Sequence, residues 1–136
     1  GRFRLILVTH DESTFFQNDL RKTYWTHVSN KPTPRQKGDG QSIMVSDFLT
    51  SEWGRLHDDP DDNGLDGEKP QEARIFFKAG LNRDGYFSAD NLLEQVDGAI
   101  DIFEGKTKGM AQGLFLFDNA PSHQKRAADA LSARKM

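Results

Sequence analysis

Apolar residues fall into a few short runs separated by polar, proline-rich and glycine-rich stretches. Arg4-Leu5-Ile6-Leu7-Val8-Thr9 and Gly113-Leu114-Phe115-Leu116-Phe117 are almost continuous, and each is soon followed by an acid, Asp11 and Asp118. Continuous apolar runs of this length predict strands buried on both faces. The first such strand is expected over Phe3–Thr9. A second is expected over Gln41–Phe48, where Ile43, Val45 and Asp47 share one face and Met44, Ser46 and Phe48 the other. A third is expected over Ala73–Ala79. The pattern then changes period. Leu92, Leu93, Val96, Ala99, Ile100 and Phe103 step by three and four, which predicts a helix from an N-cap at Ser88 to about Glu104, with Asp90 in the first turn and one stripe against a sheet. Gly98 lowers the propensity of that helix by about 1 kcal/mol relative to Ala, a cost that close approach to the sheet would explain. Gln124–Ala133 reads as a second helix.

Between these elements, Lys31–Gly40 is a loop by its prolines and glycines, and Asp58–Pro70 an acidic Gly/Pro/Asp segment expected to be exposed and mobile. Leu20–Thr26 is compatible with a short strand or a packed turn, and Leu49–Leu56 favours no element. The order is strand, strand, strand, helix, strand, helix. Loops between the first three strands favour antiparallel pairing, and the helix before the fourth allows a crossover that returns it parallel to an earlier strand. If the fourth lies beside the first, Asp11 and Asp118 emerge together at one edge. Open α/β sheets place ligands outside the carboxyl ends of such strands.

The 136 residues amount to one domain, with the acidic loop at about 57–71 inside it. A start at Gly1 and an end inside an expected helix suggest a piece of something longer. With no cysteine there is no disulfide framework and no thiolate metal site, and no apolar run approaches the roughly 20 residues of a membrane span. A soluble, intracellular protein is expected. The net charge of −3 is unevenly distributed: Asp58, Asp59, Asp61, Asp62, Asp66 and Glu68 are six of 21 acids, and the other 15 face 18 Lys and Arg. Outside that segment the chain is mildly basic, with Lys31, Arg35 and Lys37 in one loop, Lys106 and Lys108 in another, and Lys125 and Arg126 beside the Asp118 motif. This permits a polyanionic partner without requiring one.

Two carboxylates brought side by side disfavour each other's charge, so one takes up a proton or a cation sits between them. Hard oxygen ligands suit Mg²⁺ or Mn²⁺, and a pair of such ions about 4 Å apart can serve in-line attack on a phosphodiester. An acid at a strand end is equally a helix N-cap or turn former, and spacing alone does not separate the two.

Asp11-Glu12-Ser13-Thr14-Phe15 after one apolar strand and Leu116-Phe117-Asp118-Asn119-Ala120-Pro121-Ser122-His123 after another resemble the first two acidic motifs of DDE-superfamily transposases of the Tc1/mariner-like and pogo-like kind. Gly38–Phe48 resembles the second strand of such domains, particularly those of fungal mobile elements. The resemblance spans nearly the whole chain, and Asp-Asn-Ala-Pro-Ser-His is its most specific part. It implies an RNase H-like mixed sheet of the α/β class, divalent-metal-dependent DNA cleavage and strand transfer with Mg²⁺ or Mn²⁺ as cofactor, a nuclear location, transposon ends and target DNA as partners, and a homodimer of the full-length protein. Asp11 and Asp118 carry over as the first two catalytic, metal-binding acids. The family's third acid comes from a helix beyond a fifth strand. This chain ends before that point and by itself is expected to hold a metal weakly.

Other polar residues carry two readings each. Glu12 follows Asp11 but faces the opposite way if the strand continues. Asn119 and His123 are candidates for substrate phosphate or metal-bound water, and equally for caps of the next helix. Lys31, Arg35, Lys37, Lys125 and Arg126 are weak candidates for nucleic-acid contact. Asp47 is expected to be an edge or strand-end acid. Asp59, Asp61, Asn63 and Gly64 mimic the opening of an EF-hand loop, but Pro70 stands where a bidentate Glu is needed. Trp25 and Trp53 are expected in the core or packed on the sheet, and His10, His27 and His57 show no metal-ligand spacing. Two functional classes remain: a metal-dependent DNA transposase or endonuclease core, and a decayed or domesticated, non-catalytic copy that binds DNA or protein.

Overall fold

In a computed structural model, residues 4–19, 23, 25–34, 36–59, 70–124, 126 and 129–130 are described. The long strand β1 (Arg4–Phe16) pairs antiparallel with β2 (Ser42–Thr50), from Val8 opposite Thr50 to Phe16 opposite Ser42. Two short strands, β3 (Gly54–Arg55) and β4 (Ile75–Phe77), are antiparallel to β2, and a helix, α1 (Ala89–Thr107), crosses over to β5 (Ala111–Leu116). β5 is parallel to β1, from Arg4 level with Ala111 to Thr9 level with Leu116, giving the sheet order β3-β2-β1-β5 with β4 also on β2. Antiparallel strands, a helical crossover and a last strand parallel to the first make an RNase H-like mixed sheet, the expected architecture.

Several boundaries move, for reasons of long-range pairing. β1 does not stop at Thr9. Ser13, Thr14, Phe15 and Phe16 suit a strand once β2 supplies partners for their backbone groups, so Asp11 lies inside the strand rather than at its end. The third strand shrinks from Ala73–Ala79 to Ile75–Phe77, and the undecided Leu49–Leu56 stretch becomes the end of β2, a turn and β3. After β5 the structure has a 3₁₀ turn, Pro121–His123, and Gln124 is not helical; the rest of the expected Gln124–Ala133 helix lies mostly outside the described residues, as do 20–22, 24 and 60–69.

The apolar runs of β1 and β5 are buried on one face only. Ile6, Val8 and His10 point under α1, while Leu5, Leu7, Leu114 and Leu116 face away from it and stay exposed among the described residues. The inner face forms the core, in which Ile6, Val8, Phe48 and Leu56 meet Ala99, Ile102 and Phe103 of α1. Trp53 packs at its margin, 6.0 Å from the Phe103 ring, as expected, whereas Trp25 is fully exposed.

α1 begins as its sequence dictates. Ser88 caps it in a reciprocal box with Asn91, with Asp90 in the first turn, and Lys108 in the left-handed conformation closes it. Its buried stripe is rotated from the expected one: Leu92, Gln95, Ala99, Ile102, Phe103 and Thr107 face inward, while Leu93 is 61% exposed. Gln95 turns the helix that way, because its Nε2 donates to the Ser46 and Ala73 carbonyls and its Oε1 accepts from the Ser46 hydroxyl.

Close approach of helix and sheet occurs at Gly113, where a Cβ would come within 3.2 Å of the Phe103 ring and 2.9 Å of Phe115. At Gly98 a Cβ would meet nothing within 4 Å. Gly98→Ala is therefore expected to stabilise the fold by about 0.5–1 kcal/mol, read as a higher urea midpoint at unchanged slope. A lower midpoint would mean that Gly98 has a role its surroundings do not reveal.

Candidate functional site

The parallel register of β1 and β5 carries the geometry. Thr9 is level with Leu116, the last residue of β5; Asp11 lies two residues past Thr9 along β1, and Asp118 two residues past Leu116, beyond the end of β5. Asp118 does follow a strand end, as expected; Asp11 does not. Asp11 Oδ1 accepts from the Glu12 N–H at 2.8 Å, and Asp118 Oδ1 accepts from the Ala120 N–H at 3.2 Å and lies 2.9 Å from His123 Nδ1. Both acids are exposed.

On its other side Asp11 is paired with Asp47, which lies inside β2 and not at an edge or strand end. Carboxylates directly opposite in an antiparallel pair repel. The repulsion is relieved at Asp47, where Arg55 Nε donates to Oδ2 at 2.8 Å while its Nη2 reaches Glu72 at 2.7 Å. The hydrogen bond to Asp47 raises the Arg55 pKa further, with Glu72 adding to it. Among the described residues Asp11 has no such cation. The alternation of β2 puts Asp47 on a face with Val45; only the β1–β2 register reveals that Asp11 stands opposite.

Because β1 continues, Glu12 faces the helix side, as do Val8 and His10. There it meets His123 from the turn after β5, with Nε2 and Oε1 3.1 Å apart. His123 Nδ1 lies 2.9 Å from the Asp118 carbonyl and the same from its carboxylate, so this imidazole bridges two acids more than a hundred residues apart in the chain. His10 joins them: one ligand atom each from His10, Glu12 and His123 lie within 4.8 Å of one another. His10, which shows no metal-ligand spacing along the chain, is thus brought beside Glu12 and His123 by the fold. A His-x-Glu alternation on a strand was the available signal, but its third member arrives from across the sheet.

Asn119 belongs to the turn: its carbonyl and Oδ1 accept from Gln124 Nε2 at 3.1 and 3.0 Å. Lys31, Lys37 and Arg126 are exposed and pair with none of these acids among the described residues. Arg35 and Lys125 lie outside the described residues.

The two imidazoles are driven apart in acidity. Burial is the largest influence on His10 and holds its pKa below the ordinary 6.5; Glu12, Asp11 and Asp118 pull upward and His123 downward without reversing this. Burial also disfavours charge on His123, but hydrogen bonds to Asp118 and Glu12 outweigh it and raise its pKa. A depressed histidine costs stability as pH falls below the unfolded value of about 6.5. A raised one stabilises fully below that value and loses its contribution as pH climbs through the folded pKa. In chelator, the melting temperature between pH 5.5 and 8 is therefore expected to peak near 6.5, and His123→Asn to remove the alkaline decline alone. An alkaline decline that survives in this variant would refute the assignment to His123.

No family model matches this sequence, and neither does any curated protein. Solved structures do. The Mos1 mariner paired-end complex with Mn superposes at a TM-score of 0.58 over 88% of this chain and 30% of that one, with 22% identity. The Mos1 transposase paired-end complex with left transposon end gives 0.56, 88%, 30% and 20%, and the mariner Mos1 paired-end complex with Mg gives 0.57, 89%, 31% and 20%. The fold is thus the RNase H-like one found in mariner-type transposases, the class that the two acidic motifs resemble. The chain spans under a third of the length of the Mos1 chains it matches. No helix among the described residues is long and apolar enough to cross a membrane.

Proposed function

We propose that this chain is part of the catalytic core of a DNA transposase or endonuclease that cuts and joins phosphodiesters with divalent metal, Asp11 and Asp118 being its first two metal-binding carboxylates. The observation that supports the reading is the β1–β5 register, which sets Thr9 beside Leu116, each two residues before one of the two acids. The donor set fits Mg²⁺ or Mn²⁺: two exposed carboxylates, each using Oδ1 in hydrogen bonds, offer hard oxygen and leave room for waters and phosphate oxygens. When bound, such ions supply an activated nucleophile and a stabilised leaving oxygen.

The chain's own residues do the rest. The Glu12 N–H and the turn at Ala120 orient the two carboxylates, and His123 holds Asp118 from the opposite side. Arg55 neutralises Asp47, so that the field at Asp11 is not that of two adjacent anions. Gln124 fixes Asn119 and with it the turn. Lys31, Arg35, Lys37, Lys125 and Arg126 supply charge for the DNA backbone. A third carboxylate completes the metal site, and the full-length protein works on transposon ends and target DNA as a nuclear homodimer. The Mos1 structures, described as paired-end complexes with Mn and with Mg, support this reading.

The test is strand cleavage by the full-length protein on duplexes carrying the element's own ends. Cleavage is expected with Mg²⁺ or Mn²⁺, to stop in chelator, and to be lost in Asp11→Asn with the circular dichroism spectrum unchanged. DNA binding that is indifferent to metal and to Asp11→Asn, with no cleavage under any condition, would favour a non-catalytic binding module instead.

A further inference from the structure

We propose that His10, Glu12 and His123 form a second metal site, on the helix side of the sheet, that takes Zn²⁺ or a similar nitrogen-preferring dication. The site differs in chemistry and in position from the Asp11–Asp118 pair. Asp11 and Glu12 are neighbours on a strand and so point to opposite faces, and the inner set offers two imidazoles and one carboxylate where the outer offers carboxylates only. Two His and one carboxylate with a remaining open position is a donor set that suits Zn²⁺ and not Mg²⁺.

The hydrogen-bond network fixes which atoms remain free. Ser46 Oγ donates to Gln95 Oε1 at 2.8 Å, so its contact of 2.7 Å with His10 Nε2 is one in which the imidazole donates. That makes His10 the Nε2–H tautomer and leaves a lone pair on Nδ1. His10 is 5% exposed, and Nδ1 is buried with no hydrogen-bond partner. A buried acceptor without a partner is a rarity that asks for a reason. At His123 the Nδ1 side is taken by acceptors of Asp118, so Nδ1 carries a proton and Nε2 presents its lone pair toward Glu12. Each imidazole therefore has its distal N–H held by an acceptor, the outer-shell arrangement that orients metal-bound histidines. Without a cation the 3.1 Å contact of His123 Nε2 with Glu12 requires an additional proton; with one, the carboxylate and both lone pairs are satisfied together.

Dimensions agree. Tetrahedral zinc with ligands at about 2.0–2.1 Å needs its donors about 3.3 Å apart. Glu12 and His123 are already at 3.1 Å, and the full trio lies within 4.8 Å, so that small side-chain adjustments bring all three donors to bonding distance. The surroundings are dry: the side chains of Glu12 and His123 are 19% and 8% exposed, and Phe48 and Phe117 lie against His10 with ring centroids at 4.8 and 5.3 Å. A cation here would clip β1 to the turn after β5 and hold Asp118 in place through His123.

The probes are Zn²⁺ and Co²⁺ added to the chelator-stripped full-length protein, followed by calorimetry, visible absorption of the cobalt form and melting temperature. One Zn²⁺ per chain at submicromolar Kd is expected, with tetrahedral cobalt bands that a thousandfold excess of Mg²⁺ does not erase. Glu12→Gln and His123→Asn should each weaken binding by more than a hundredfold while keeping the native circular dichroism, and Ser46→Ala, which removes the acceptor for His10 Nε2 together with the hydrogen bond to Gln95, by ten- to a hundredfold. Asp11→Asn should leave zinc binding intact, so this site and the proposed Mg²⁺ pair fail separately. Absence of stoichiometric zinc, zinc retained in Glu12→Gln, or zinc lost in Asp11→Asn would each overturn the proposal.

Discussion

Replacing Asp118 by Ala in the full-length protein is expected to lower strand cleavage by at least about a thousandfold and to remove the stabilisation that Mg²⁺ or Mn²⁺ confers. The magnitude rests on the support a metal-bound carboxylate gives: several kcal/mol of transition-state charge stabilisation, of which each 1.4 kcal/mol is about tenfold in rate. A wild-type protein with metal at about 100 times its Kd gains about 2.7 kcal/mol against unfolding, and a variant lacking one of its carboxylates should gain far less at the same concentration. Asp118 also accepts from the Ala120 N–H and lies against His123, so some metal-independent loss of stability is expected as well. The two effects separate on measuring the melting temperature with and without metal. A variant that still cleaves at more than about a tenth of the wild-type rate would remove Asp118 from the chemistry.

The largest effect on stability is expected at Gln95. Its amide joins α1 to β2 and to the strand-like segment at Ala73 through three hydrogen bonds, all buried. Gln95→Ala leaves the Ser46 hydroxyl and the Ala73 carbonyl without that partner, at about 1–3 kcal/mol each, and opens a small void, for a total of about 3–5 kcal/mol. Domains of this kind have about 5–15 kcal/mol in all, so the urea midpoint should fall by about a fifth or more. The change also frees Ser46 to donate to His10, undoing the tautomer that the network imposes. An unfolding free energy within about 0.5 kcal/mol of the wild type would show that these bonds merely replace equivalent ones to water.

Legibility in the sequence tracks the range of the forces involved. The Ser88 cap and the acid in the first turn of α1 are settled within a few residues, and each stands where the sequence puts it. The antiparallel run of early strands, the single crossover helix and the parallel return of β5 are also legible, because short loops and a helical crossover leave few topologies. The local pattern makes β1 too short because nothing in Ser13–Phe16 by itself requires a strand; the partner that requires it, β2, lies about thirty residues away. The inward turn of α1 is hidden for the same reason, since a polar residue in a stripe looks solvent-facing until Ser46 and Ala73 are found beneath it.

The site divides in the same way. Asp11 and Asp118, the carboxylates of the proposed site, can be singled out from the chain alone, because a carboxylate after an apolar run is a local signature. Tertiary structure alone set Asp47 opposite Asp11 and brought His123 to Glu12 and His10, contacts that span 36 and 111 residues. Propensity, capping and side-chain period act over one or two turns and are written in consecutive residues. Register between distant strands is decided by the summed burial and hydrogen bonding of the whole sheet, and that sum fixed which polar groups became neighbours.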